Sequence, residues 1–259
     1  MFDPIREYIE VPTYTYNLRG GVNYNEPIAR NWTFMAQYNV TYRNQSKEQL
    51  AWYADESYQP DLTRPIDALS INSSPNALTH RVGPGIRYSK KRNNFVLRLS
   101  YENLSRNGSF ENGANTSSLV EKQYHSVQYH TMFRYAFNKQ NSLRIQFRSN
   151  SDAPSVTQLH NIFDVSSPRN ISVGNSNLAP EYSHSGSIRY TLSLAEKGQT
   201  FMAMIRGEYY QNAISGSTLY NAKGWAMPDE MNGIAIPKDE EGKPYRPTQI
   251  TSYENMDGY

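Results

Sequence analysis

Apolar and polar residues alternate along most of the chain with a period of two. In residues 12–24 the even positions are apolar or aromatic, apart from one proline and one glycine, and the odd positions are polar or glycine. Residues 32–43 repeat this arrangement, with Met35 as the single apolar residue on the polar side. Alternation of this kind predicts β-strands that have one apolar and one polar face.

Further segments with the same alternation follow along the chain. Most of them are longer than an ordinary soluble strand, which has about 5 or 6 residues. Pro84 lies between two glycines inside one of them and predicts a bulge or bend, because proline cannot donate a hydrogen bond to a strand ladder. The segments are residues 78–88, 95–103, 125–137, 143–149, 182–194 and 201–211, with the start of a ninth at 252–259.

The connections between these strands alternate in length. Short connections at residues 25–31, 89–94, 138–142 and 195–200 are interleaved with long ones at residues 44–77, 104–124, 150–181 and 212–251. Membrane barrels show this asymmetry because their periplasmic turns are short and their extracellular loops are long. The pattern therefore predicts an all-β fold, namely an antiparallel transmembrane β-barrel segment with about 8 to 9 strands of a larger barrel.

Arginines follow the same alternation. Because an arginine that faces lipid near the membrane midplane costs about 2–4 kcal/mol, arginines on the polar parity are predicted to face the lumen. Two explanations of this basic wall are open: the arginines pair with acidic groups of a plug or of further strands, which we favour, or they attract an anionic solute. Ten arginines have this parity: Arg19, Arg43, Arg81, Arg87, Arg98, Arg134, Arg144, Arg148, Arg189 and Arg206.

Composition agrees with strands that show only alternate residues to lipid. Mean hydropathy is low, at -0.75, and the longest apolar run, residues 201–205, is far too short for a spanning helix. Tyrosine is abundant, with 21 residues against 9 phenylalanines and 3 tryptophans. Tyr and Trp favour the membrane–water boundary. The aromatics near strand ends that we predict at the lipid interface are Tyr14, Tyr24, Trp32, Tyr42 and Tyr182.

Catalytic and cofactor motifs are missing from the sequence. It contains no cysteine and no nucleophile elbow, phosphate-binding loop, dinucleotide fingerprint or zinc-protease motif. A hydrolytic site on the barrel wall would need a serine or aspartate beside a histidine such as His125 or His130. We predict that the chain is not an enzyme and binds no cofactor or metal. A formal charge of +2 without a basic stripe predicts no nucleic-acid binding.

The third long connection carries the most specific motif. It contains DAPSVTQL at residues 152–159 and NISVGNSNLAPEYS at residues 170–183. The second stretch resembles the GNPxLxPE motif in the barrels of TonB-dependent receptors, most closely the outer-membrane β-barrel family common in Bacteroidetes. Ser176 and Ala179 depart from the motif. The residues assigned to this motif loop are Pro154, Asn170, Gly174, Asn175, Leu178, Pro180 and Glu181.

The resemblance implies a receptor in the bacterial outer membrane that imports a scarce nutrient with energy relayed by TonB. It implies four partners: outer-membrane lipid, the remainder of the parent chain, TonB through the parent's plug region, and a surface lipoprotein. Residues 1–259 are expected to form a partial barrel domain without the plug domain, the N-terminal strands and the C-terminal strands. Ligand capture is expected in the connections 150–181 and 212–251, and Gly174, Pro180 and Glu181 are expected to shape the descent from loop to strand.

Two other functions fit the same alternation. One is an outer-membrane barrel with a structural or adhesive role and no transport. The other is a soluble β-sandwich that serves as a binding module. The second would pack its apolar face inside the molecule, whereas a membrane barrel turns that face outward.

Overall fold

The computed structural model describes residues 7–55, 57–67, 70–112, 116–164, 170–220, 230–231, 234–235 and 248–257. Nearly all of these residues are in strands, and no described helix is long and apolar enough to cross a membrane. One helical turn, α1 (Val156–Leu159), follows the ninth strand. The described strands are β1 (Glu7–Glu10), β2 (Thr13–Ala29), β3 (Trp32–Ala54), β4 (Pro60–Pro65), β5 (Ile71–Ser73), β6 (Asn76–Lys90), β7 (Asn93–Asn112), β8 (Thr116–Ala136), β9 (Asn141–Asp152), β10 (Phe163–Asp164), β11 (Asn170–Val173), β12 (Glu181–Leu194), β13 (Gln199–Gln211), β14 (Ala213–Tyr220), β15 (Glu230–Met231), β16 (Ile234–Ala235) and β17 (Gln249–Met256).

Eight long strands form an antiparallel meander, which we call the main sheet. Its spatial order is β2-β3-β6-β7-β8-β9-β12-β13, so each strand pairs with the next long strand along the chain. The short strands β1, β4 and β5 pair along the distal half of β3. The predicted antiparallel all-β fold is confirmed. Within the described residues β2 and β13 each keep one unpaired edge, so these residues do not close a barrel.

Tight turns join the long strands at one end of the main sheet, which we call the turn end. Asn31 and Lys91 adopt left-handed backbone conformations there, with φ of 81° and 54°. In a third turn the Asn138 side-chain oxygen accepts hydrogen bonds from the backbone N–H groups of Gln140 and Asn141 at 2.8 and 2.7 Å. Such polar residues fix the short connections because they satisfy the turn backbone locally.

Cross-strand register gathers the alternating residues onto two chemically different faces. Leu18, Tyr42 and Leu78 are register partners on what we call the apolar face. Arg19 and its partner Thr41 lie on the opposite side, the polar face. Because register partners always share a face of a sheet, the parity seen along each strand becomes a property of the whole sheet.

The apolar face is open rather than covered. Val22, Val127 and Ile205 are 67%, 64% and 75% exposed, and no second sheet packs on them in the described part of the chain. A soluble sandwich would bury these residues. The soluble β-sandwich alternative is therefore wrong.

The far end of the main sheet, opposite the tight turns, carries a second, smaller sheet with the order β10-β11-β17-β14. The β11–β17 pair is parallel, and Phe163, Ile171, Val173 and Ile250 form its buried core. Asn212, with φ of 54°, separates β13 from β14. The predicted ninth strand, residues 252–259, overlaps β17 and belongs to this smaller sheet, whereas residues 258–259 lie outside the described residues.

The long connections differ from the prediction. Residues 104–124 are not an irregular loop, because β7 and β8 stay paired from Leu104↔Tyr124 to Asn112↔Thr116. Most of residues 212–251 lies outside the described residues. Pro84 produces no bulge: its pairing with β7 is interrupted, but the register on both sides is unchanged.

Candidate functional site

The first part of the motif loop folds into α1 because its sequence contains a complete capping box. Ser155 Oγ accepts from the Gln158 N–H at 3.3 Å, and Gln158 Oε1 accepts from the Ser155 N–H at 2.8 Å. Pro154, immediately before the cap, is fully buried, as are Val156 and Leu159. The reciprocal bonds satisfy backbone donors that a single helical turn would otherwise leave unpaired.

Gly174 and Asn175 lie directly against α1. A β-carbon on Gly174 would be 2.4 Å from the His160 carbonyl oxygen, so only glycine fits this approach. The Asn175 N–H donates to the Gln158 carbonyl at 2.7 Å, and its side-chain amide donates to the Tyr253 carbonyl at 3.0 Å. These two residues therefore connect α1 to β17.

The end of the motif joins β12 to the smaller sheet. Glu181 Oε2 accepts from the Ile214 N–H at 2.9 Å. The Asn255 side chain accepts from the Ala179 N–H and donates to the Ala179 carbonyl, at 2.8 and 3.1 Å. Leu178 is buried, Pro180 is half-buried between Ala179 and Glu181, and Asn170 begins β11 at an exposed position. These contacts join the end of the motif to β14 and β17.

The motif loop covers the polar face of the distal β7–β8 hairpin. Val120 on β8 packs with Val156, Leu159 and Leu178 in one buried cluster. The His160 ring stacks on Phe110 of β7 with centroids 4.1 Å apart. The apolar core of the far end therefore lies on the polar face of the main sheet. Nearer the tight turns, the same face carries polar side chains.

Beside this cover lies a basic cleft, which we call the far-end cleft. Its lining includes Arg19, Arg81, Glu102, Arg106 and Asp152. Arg81 and Glu102 form an ion pair that includes a 2.9 Å bond from the arginine Nε. Arg106 also lines an adjoining cleft with Arg43, Lys47, Ser155 and Thr157. Cations outnumber carboxylates in both clefts, so an anionic group is the favoured guest.

Arg106 is the most unusual residue of the far-end cleft. Within the described residues its buried Nε has no hydrogen-bond partner, and neither does the buried hydroxyl of Tyr124. Burial, together with the nearby Arg43 guanidinium, lowers the pKa of Arg106 from its ordinary value. Buried donors without partners are rare, because each costs about 1–3 kcal/mol. Arg106 escaped the sequence prediction because it falls in a predicted loop, although it continues the even-numbered polar parity of β7.

All ten predicted arginines lie on the polar face, and several are direct cross-strand neighbours. Arg134 faces Arg144, which faces Arg189, in one row across β8, β9 and β12. Like charges in register destabilise a sheet. In the described part of the chain, Arg81 is the only one of the ten with a carboxylate partner. Negative charge from outside the described residues would stabilise this row of arginines.

The five predicted interface aromatics lie on the apolar face but at different heights. Trp32 is beside the tight turns and packs on Tyr88 with ring centroids 4.9 Å apart. Tyr24, in the same half, donates to Glu26 at 2.8 Å. Tyr14, Tyr42 and Tyr182 lie toward the far end.

Neither proposed hydrolase histidine sits in a catalytic arrangement. His125 is on the apolar face, 2.7 Å from the Tyr101 hydroxyl, and His130 is on the polar face with Arg98 and Arg148 as register partners. Among the described residues, no three His, Cys, Asp or Glu side chains group closely enough to hold a metal ion.

His160 makes the far end sensitive to acid. Burial lowers the pKa of His160 below its ordinary value, against the opposing effect of Asp164. Below about pH 6.5 the unfolded chain binds a proton that the folded chain excludes, so stability is complete above that pH and falls as pH decreases. We expect hydrogen exchange of residues 156–160, corrected for intrinsic rate, to report a loss of up to about 1.4 kcal/mol per pH unit.

The control for this acid response is His160→Phe, which retains a ring against Phe110 but does not titrate. Its protection at residues 156–160 should be independent of pH between about 5 and 8. A variant that kept the full pH slope would assign the response to another group.

The family comparison identifies the class of protein that this geometry defines. The model of the outer membrane protein beta-barrel family matches residues 82–258, more than half of the chain. The chain therefore belongs to the outer membrane protein beta-barrel family and lies in the bacterial outer membrane. No curated protein sequence matches it.

Two solved receptors resemble the structure. A double mutant of the hemophore receptor HasR of Serratia marcescens, in complex with its hemophore HasA and heme, has 12% identity and a TM-score of 0.51, over 96% of this chain and 38% of that one. A mutant of the ferric enterobactin receptor PfeA of Pseudomonas aeruginosa, in complex with enterobactin, has 11% identity and a TM-score of 0.42, over 87% and 39%. At such identity the likeness to HasR shows the barrel fold alone. The chain thus spans about two fifths of these receptors.

Proposed function

We propose that the chain forms part of the barrel wall and the ligand-capturing extracellular end of a TonB-dependent receptor that imports a nutrient. The observation that carries this proposal is the far-end cleft. It combines several cations, the buried unpartnered Nε of Arg106, and a rigid cover held by the motif loop. Because barrel strands end in short turns on the periplasmic side, the far end faces the exterior, where cargo first arrives.

The basic polar face supports a filled lumen. The Arg134–Arg144–Arg189 row and the cleft lined by Arg87, Arg134 and Arg144 need negative charge that the described strands do not supply. We assign that charge to acidic groups of a plug in the remainder of the parent chain, since large barrels carry a plugged lumen. TonB would act through that plug, and a surface lipoprotein would deliver cargo at the far end. Covalent chemistry forms no part of this function.

Uptake by living cells tests the import proposal. A strain that lacks the full-length protein should grow poorly when one cargo class, a polymer, a metal chelate or a peptide, is limiting. The same defect should follow loss of TonB. In cells that carry Arg106→Gln, uptake affinity should fall at least about tenfold, because one hydrogen bond to a charged group contributes about 1.5–3 kcal/mol.

The matched control is Lys139→Gln, which removes a cation from an exposed tight turn at the other end of the molecule. It should leave uptake unchanged at equal surface abundance. Normal growth of the deletion strain on all three cargo classes, with a loss of surface attachment, would instead support the adhesive barrel.

A further inference from the structure

Three histidines on the apolar face are each hydrogen-bonded to a tyrosine of another strand. In each pair a tyrosine hydroxyl lies within hydrogen-bond distance of the histidine Nδ1, and the two rings are nearly parallel with centroids about 6 Å apart. We call these six residues the Tyr–His belt. The pairs are Tyr38 with His80 at 2.8 Å, Tyr101 with His125 at 2.7 Å, and Tyr129 with His184 at 3.3 Å.

The hydroxyl contact determines which nitrogen is available outward. When the tyrosine donates to Nδ1, the neutral imidazole carries its proton on Nε2. In the described part of the chain, Nε2 of His80, His125 and His184 has no partner. The hydroxyl contact at Nδ1 orients each imidazole. In this tautomer the Tyr–His belt presents three oriented donors on a surface that faces lipid.

All three histidines lie at one height. Each is about ten residues along its own strand from the turn end: His80 on β6, His125 on β8 and His184 on β12. At about 3.3 Å per residue and a strand tilt of about 40°, this distance corresponds to about 25 Å along the membrane normal, which is the height of the apolar band of a barrel.

Polar side chains appear on the apolar face from the level of the Tyr–His belt outward, beside aromatic and apolar ones such as Tyr182 and Leu78. Asn103, the register partner of both His80 and His125, accepts a hydrogen bond at 3.0 Å from Gln123, which lies two residues farther along β8 toward the far end. On β3 the alternation passes from Tyr42 to Asn44 and Ser46. The belt thus marks the edge of the lipid-facing band on the extracellular side, where the headgroups of the outer leaflet lie.

We propose that the Tyr–His belt binds phosphate groups of outer-leaflet lipids, with each imidazole donating from Nε2 to a phosphate oxygen. A phosphate offers anionic acceptors at the height where the donors point outward. The described neighbours of the belt on this face include Asn103, which is a register partner of both His80 and His125, and apolar side chains such as Val82 and Val127. None of these is a carboxylate that would compete for the donors. Charge-assisted hydrogen bonds of this kind are stronger than neutral ones.

Lipid binding to the delipidated full-length protein tests the proposal. Native mass spectrometry in non-ionic detergent would compare phosphorylated lipid A with the same lipid after removal of its phosphates. We expect the phosphorylated form to bind at least about tenfold more tightly. The triple variant His80→Phe, His125→Phe and His184→Phe keeps three rings but no ring nitrogen, and should lose most of this preference.

Two further variants keep the test decisive. Tyr88→Phe removes a hydroxyl at the turn end and should keep the full preference. Tyr38→Phe combined with Tyr101→Phe and Tyr129→Phe leaves the imidazoles unoriented and should weaken the preference about threefold, whether or not the histidine variant folds. Equal binding of the two lipids by the unmodified protein, or an unchanged preference in both triple variants, would overturn the proposal.

Discussion

Ile188→Arg is expected to destabilise the barrel by about 2–4 kcal/mol, since it places a charge on the lipid face near the middle of the apolar band. Ile188 lies on β12 between its register partners Ile145 on β9 and Ile205 on β13. It is about six residues from the turn end of β12, halfway to the Tyr–His belt. Urea unfolding of the full-length protein in micelles measures the loss.

The adjacent Ser187→Arg is the matched control for this prediction. Ser187 is on the polar face, where Gln146 and Arg206 are its register partners. Repulsion from Arg206 should cost less than about 1 kcal/mol, the usual range for a cross-strand pair. Equal destabilisation by the two substitutions would contradict the assignment of the faces.

Gly174→Ala is expected to destabilise the far end by about 3 kcal/mol while the main sheet stays folded. The added β-carbon would lie 2.4 Å from the His160 oxygen and 2.8 Å from the Gln158 oxygen. Both are backbone atoms, so α1 must move and the bond from Asn175 to Gln158 must break. Hydrogen exchange should accelerate in residues 156–160 and in β17, with little change in β7 near the turns.

Gly216→Ala provides the comparison in the same region. Gly216 is on β14, and a β-carbon added there would have no neighbouring atom within 4 Å. Because alanine also restricts the unfolded chain, this change should be neutral or stabilise by up to about 1 kcal/mol. Similar losses from Gly174→Ala and Gly216→Ala would show that close packing at Gly174 is not the cause.

The membrane part of the fold could be predicted from sequence because lipid imposes one simple requirement on every strand. Leu97 must face the lipid and Arg98 must not. This rule alone is enough to assign the residues of β7 to the apolar and polar faces. All eight long strands obey it, and the predicted segments coincide with them to within a residue or fall inside them. The local pattern was sufficient because each strand meets the same two environments, lipid on one side and polar surroundings on the other.

The far end could not be predicted in the same way because the requirement changes there. On β7, Leu104 and Phe110 are buried on the side that is polar nearer the turns, and the His160 ring stacks on Phe110. Ser105 and Asn107 have the opposite parity. Outside the lipid, neither side has to be uniformly apolar, so the alternation fades although the strand continues. Arg106 was missed for this reason. The capping box formed by Ser155 and Gln158 was present in the sequence as a local signal for α1.

The parallel pairing of β11 with β17 predicts an order of assembly. It joins Asn170 to Gln249, far apart in the chain, whereas the hairpins of the main sheet join neighbours. Contacts between residues far apart in the sequence form slowly, because the intervening chain loses conformational entropy before the contact adds any stability. The main sheet should therefore form first and the far end last. Regions held by few long-range contacts also open most readily, so the far end can loosen while the main sheet stays folded.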